Sequence, residues 1–161
     1  MNHEQMKGSA KNTATTTPRE HHTMSLTLKG IAVVKALSQE TTNFHATMYW
    51  NNIRVGVVSN SGRGGCHEYT WNQTTQTTRA KQAVNDDLID NILNEHLLNQ
   101  QLKVWCKAHT VYRLTTHALG LWTQLDQPYS PAIEKMLIAK YGDQLAEIAN
   151  KRFIPKTPAK S

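Results

Sequence analysis

Cysteine, phenylalanine and long apolar runs are scarce in this chain, and each scarcity excludes something. Two cysteines in 161 residues, Cys66 and Cys106, are too few for a disulfide framework, so reduced thiols and a cytoplasmic setting are expected. No apolar run approaches the ~20 residues of a membrane span, and the first residues lack the apolar stretch of a secretory signal, so no membrane partner is expected. Hydrophobic residues make up 39% of the chain and aromatics 7%, enough for one domain with a modest core. Motifs for cofactor chemistry are missing too. There is no Gly-Lys-Ser/Thr phosphate loop, no glycine fingerprint opening a helix and no Ser-His-Asp order. No cofactor is called for, and an enzyme is not favoured.

Acidic residues are outnumbered, 12 against 18 basic ones, but the excess is uneven. Residues 151–161 hold Lys151, Arg152, Lys156 and Lys160 with no acid. Residues 25–150 are close to neutral. The reading is therefore a polar, disordered tail over 1–24, one α+β domain over 25–150, and a basic C-terminal tail over 151–161. His21-His22 lies in the first tail, where two neighbouring histidines do not make a metal site.

What is present centres on Phe44 to Trp71. Asn51-Asn52 sits between two runs rich in β-branched and aromatic residues, the signature of a two-residue hairpin turn that needs positive φ twice. Closing the turn with Trp50 opposite Ile53 sets Met48 opposite Val55, Ala46 opposite Val57 and Phe44 opposite Ser59, all on the core face. Tyr49 beside Arg54, Thr47 beside Gly56 and His45 beside Val58 take the other face. With a strand at 30–37 before the hairpin and one at 66–71 after it, the expectation is an antiparallel meander of strands 30–37, 43–50, 53–59 and 66–71. Later strands at Thr110–Leu114 and Leu121–Leu125 bring the sheet to between four and six.

The helical period starts after Thr78. Ala80, Val84, Leu88 and Ile92, with Ile89, Leu93 and Leu97 beside them, form the stripe of one long helix lying on one face of the sheet and running as far as Trp105. Asp86, Asp87 and Asp90 suit its N-terminal half. Ser130-Pro131 predicts a helix N-terminus and Gly142 its stop. Leu145 to Phe153 reads as a last short helix.

The candidate site follows from the glycines. Asn60-Ser-Gly-Arg-Gly-Gly65 can reach backbone conformations closed to other residues and leave amides uncovered. Asn60, Gly62, Arg63, Gly64, Gly65, His67 and Glu68 form the primary candidate for partner binding, with Arg54 and Tyr49 nearby. A nest for a nucleotide phosphate is one alternative use of this loop, in a small enzyme or nucleotide binder. Nucleic-acid binding is another reading, with Lys103, Lys107, Arg113, Lys151 and Arg152 on phosphate and Tyr112 stacking on bases. Cys106-Lys-Ala-His109 has the spacing of half a zinc site, and Cys66-His67 could supply the rest, but the pairs lie far apart in sequence and no metal is expected. Cys66 as a nucleophile would need a nearby base, and His67 next to it in a strand faces away.

The pieces Glu40-Thr-Thr-x-Phe44-x-Ala46, Val55-Gly56 with Asn60-x-Gly62-x-Gly64-Gly65-Cys66, and Val111-Tyr-Arg-Leu114 with Tyr129-Ser-Pro131 resemble small uncharacterised proteins of bacteriophages, prophages and plasmids. The likeness spans roughly residues 30–150. It carries no catalytic residue across. It implies a mobile-element protein in a bacterial host cell, one that binds and blocks a host protein such as a defence complex.

Overall fold

The computed structural model describes residues 25–155. The expected disordered tail over 1–24 lies outside them, as do Lys156 and Lys160. Asn51 and Asn52 take φ of 48° and 65°, the left-handed pair that a type I′ turn requires. They join β2 (Phe44–Trp50) to β3 (Ile53–Asn60). Strand β1 (Leu26–Val33) pairs with β2, and β4 (Glu68–Trp71) with β3, giving an antiparallel sheet in the order β1-β2-β3-β4. The meander is as expected. Its first strand, read from the sequence as lying within Leu26 to Leu37, starts at Leu26 but ends at Val33, and Lys35–Leu37 turn into a 3₁₀ helix.

The hairpin register differs from the expected one after two pairs. Trp50 faces Ile53 and Tyr49 faces Arg54, but Met48 then faces Gly56, Ala46 faces Val58 and Phe44 faces Asn60. Val55 is the extra residue of a β-bulge, so every later residue of β3 changes face. Gly56, the residue after the bulge, is where β4 comes closest. A Cβ on Gly56 would come within 2.3 Å of the Thr70 carbonyl oxygen of β4, so only glycine admits the neighbouring strand. In consequence Val58 and Asn60 point into the core, where Val57 and Ser59 were expected.

Two helices cover the core face. α1 (Thr77–Ala83) and α2 (Asp86–Trp105) are separate, broken at Val84-Asn85, where one helix was expected. The Asn85 side chain accepts from the Leu88 N–H at 2.8 Å, an N-cap that starts a new helix. Ala80 of α1 and Ile89 and Leu93 of α2 pack against Leu28, Phe44, Met48, Trp50 and Val58.

The C-terminal half of α2 serves a second sheet instead of extending the first. β5 (Thr110–Leu114) pairs antiparallel with β6 (Thr123–Leu125) and with β7 (Leu145–Ile148), in the order β6-β5-β7. Leu102, Val111 and Ala149 form one small core there, flanked by Trp105 and Phe153. Tyr112, Leu137 and Ile148 form another, with α3 (Pro131–Tyr141) laid over it. Ser130 caps α3 by accepting from Ile133 N–H at 3.3 Å, with Pro131 at its start and Gly142 at its end, as expected. The last helix expected at Leu145–Phe153 is strand β7 followed by a 3₁₀ turn, Ala149–Arg152. Pairing with β5 overrides the helical propensity of Leu-Ala-Glu-Ile.

Candidate functional site

Asn60 ends β3 on the core face, where an amide without partners would be costly. Every one of its polar capacities is filled. Its Oδ1 accepts from Gly62 N–H at 2.8 Å and from the Thr41 hydroxyl at 2.7 Å, while its Nδ2 donates to the Gly65 carbonyl at 3.3 Å and meets His67 Nδ1 at 3.1 Å. A backbone N–H can only donate, so the Gly62 bond fixes which end of the amide is oxygen. The other end therefore donates to His67. It follows that His67 Nδ1 accepts and that the ring proton sits on Nε2, which donates to Asp90 Oδ1 at 3.0 Å.

The staple continues through the backbone. His67 N–H donates to Asp86 Oδ2 at 3.0 Å, and the Tyr69 hydroxyl donates to Asp86 Oδ1 at 2.6 Å. The Tyr69 bond, with help from the His67 amide, holds the Asp86 carboxyl below its usual range, against the effect of burial. Burial first, then the Asp86 contact, pushes the Tyr69 hydroxyl well up. Asp86 and Asp90 lie on successive turns of α2, so this network ties β4 to the N-terminus of that helix.

The glycine-rich loop closes inward in the same way. Gln39, Glu40 and Thr41 N–H groups converge on the Gly62 carbonyl at 2.8, 3.0 and 3.4 Å, and Gly64 N–H donates to Thr41 Oγ1 at 3.3 Å. Gly62 is buried at φ +82°, and a Cβ there would meet the Leu37 carbonyl oxygen at 2.3 Å. The amides of Gly62 and Gly64 are thus committed to protein acceptors. The Asn60 and His67 side chains are likewise engaged within the protein. They lie on the covered side of the sheet, and the His67 side chain is 7% exposed. With both ring nitrogens engaged, His67 has none left to serve as a base for the exposed thiol of Cys66. Among the described residues, no three His, Cys, Asp or Glu side chains are placed to hold a metal ion.

Three residues of the primary candidate, Tyr49, Arg54 and Glu68, lie on the opposite face. The register sets Thr27, Tyr49 and Arg54 in one row, Lys29, Thr47, Val57 and Thr70 in the next, and His45, Ser59 and Glu68 in a third. Lys29 lies over the Tyr49 ring with its ammonium 4.4 Å from the ring centre. This face is open: Lys29, His45, Arg54, Glu68 and Thr70 are exposed, and Tyr49 and Val57 are half-buried. Arg63 and Gly65 are exposed in the loop that follows β3.

The residues expected on nucleic acid differ in their surroundings. Tyr112 is buried at 7% exposure, with its hydroxyl 3.2 Å from that of Tyr141. Burial, followed by that contact, pushes the Tyr112 hydroxyl up to about 12. Arg152 grips Glu147 with two bonds, 2.5 Å from Nε to Oε1 and 2.9 Å from Nη2 to Oε2, and donates through Nη1 to Asn99 at 2.7 Å. Arg113 Nε lies 3.4 Å from the same carboxylate. The two guanidinium carbons stand 5.5 and 5.3 Å from the centre of the Trp122 ring. Lys151 pairs with Glu134 at 2.7 Å. The expected basic tail therefore begins as folded structure, and of the six nucleic-acid candidates Tyr112 is buried while Arg113, Lys151 and Arg152 are engaged by carboxylates at the surface. Lys103 and Lys107 alone of that set are exposed and without an ion pair among the described residues.

Sequence reasoning missed Asn150. It is buried, accepts from Val111 N–H at 2.8 Å, and donates to the carbonyls of Cys106 and His109 at 3.2 and 2.8 Å. It closes the end of α2 onto the second sheet, and nothing in its local sequence signals that role. Comparison with known protein families, curated proteins and solved structures finds no match to this chain.

Proposed function

We propose that this protein acts by binding another protein through the open face of its first sheet, without catalysis at the glycine-rich loop. The observation that carries this reading is the split of the candidate residues by the β-bulge. Asn60 and His67 are turned inward as a staple, while Tyr49, Arg54 and Lys29 are turned outward together on a face that no described helix covers. Tyrosine and arginine are the residues that dominate protein interfaces. Lys29 and Arg54 outweigh Glu68 there, so the complementary patch on the partner is acidic. The resemblance to mobile-element proteins supports a bacterial host protein as the partner, engaged in the cytoplasm and inhibited by being covered. A defence complex is the partner class that this reading favours.

The test is affinity for a host protein co-purified with the chain and then isolated. Arg54→Glu should weaken its binding at least tenfold, and Arg63→Ala should do so by less, with the melting temperature of both unchanged. Equal affinity of the wild type and Arg54→Glu would remove the face from the account.

A further inference from the structure

The two lysines left free by the second sheet border a groove that the protein-binding reading does not use. It is an open groove of about 420 Å³ at the end of α2, lined by Lys103, Lys107, Tyr129, Phe153 and Ile154 among others. A volume of this order is in the range of small-ligand sites. Its wall is mainly apolar and aromatic, and both ammonium groups are exposed at it. We propose that this groove binds single-stranded nucleic acid, one base lodging against Phe153 and Tyr129 while the flanking phosphates lie on Lys103 and Lys107.

Three observations support that occupant. The carbonyls of Cys106 and His109 beyond the helix end are already capped by Asn150, so the lysines are not needed there. The neighbouring acid, Glu134, is neutralised by Lys151 and also accepts from the Tyr129 hydroxyl. The polypeptide passes along the groove at Ile154, and the sequence that follows adds Lys156 and Lys160 with no acid. Rings beside unpaired cations are the combination that takes bases and phosphates together. An acidic peptide would use the cations but not the ring wall.

The experiment uses the full chain and labelled 12-nucleotide oligo-dT and oligo-U, read by fluorescence anisotropy between 50 and 200 mM salt. The double variant K103E/K107E should bind at least tenfold more weakly, with its melting temperature unchanged. Its salt slope should fall by about 1.4, the loss expected for two phosphate contacts on a single strand. Inorganic polyphosphate and poly-glutamate should compete at least tenfold less well than the oligonucleotide at equal charge. Unchanged binding by the double variant would overturn the proposal, as would equal competition by either polyanion, the latter pointing to an acidic peptide or a bare charge effect. A chain shortened after Pro155 that loses all binding, while K103E/K107E loses none, would overturn it as well. None of these results bears on the open sheet face, which lies on the other sheet.

Discussion

Asn60 Nδ2 stands 3.1 Å from His67 Nδ1, and this contact decides the character of the glycine-rich loop. It fixes the imidazole as an acceptor toward β3 and a donor toward Asp90 of α2. Loop, strand and helix are locked by one buried amide.

Asn60→Ala should therefore cost about 3 kcal/mol, because it strands Gly62 N–H and the Gly65 carbonyl as well as His67. Asn60→Asp should destabilise too, since it keeps the acceptor but loses the donor that His67 and Gly65 require. Urea denaturation at neutral pH measures both. A loss under about 0.5 kcal/mol for Asn60→Ala would show that the network contributes little.

The two glycines at φ +82° and +88° should respond differently to alanine. Gly65 has no atom within 4 Å of a built Cβ, so Gly65→Ala meets only the left-handed backbone penalty of about 1 kcal/mol. Gly62→Ala must also displace the Leu37 carbonyl and should cost at least about 3 kcal/mol. The difference between the two is the informative quantity. Equal losses would mean that the loop moves aside freely.

The Glu147 carboxyl is held below its ordinary value near 4.5, first by the Arg152 bonds and then by the charges of Arg152 and Arg113. A lowered folded pKa contributes stability that is full above the ordinary value and is lost as pH falls through the lowered one. Glu147→Gln should thus be less stable by about 2 kcal/mol at pH 7. The gap to wild type should shrink between pH 5 and pH 3. A gap that stays constant across that range would show that Glu147 acts through packing alone.

How much of this was legible in the sequence differs by element. The Asn-Asn turn, the Ser-Pro start of α3 and the strand at Thr110–Leu114 announce themselves locally, and the structure has them where the sequence puts them. The bulge at Val55 does not, and the close approach of Thr70 that requires glycine at position 56 comes from another strand. That one residue moved Asn60 inward, so the candidate site was read as one patch when its members lie on two faces. The break before α2 was readable in principle, since Asn85 before two aspartates is a cap signal. Leu-Ala-Glu-Ile was not readable as a strand, because its partner β5 lies far back in the chain, Leu145 pairing with Leu114 and Ile148 with Tyr112. The partners of Arg113 and Arg152, Glu147 and Trp122, were hidden for a similar reason: only the fold brings them together.

The central claim is that the outward face of the first sheet is the binding surface. The direct measurement places a photo-crosslinking benzoylphenylalanine at position 49, 63 or 103, one at a time, in chains expressed in bacterial cells, the setting of the proposed function. The account predicts a discrete crosslinked host protein from position 49, a weaker one from position 63, and none from position 103. The same product should be absent when Arg54→Glu is combined with the probe at 49. A host protein crosslinked only from position 103 or only from position 63, with nothing at 49, would contradict the account.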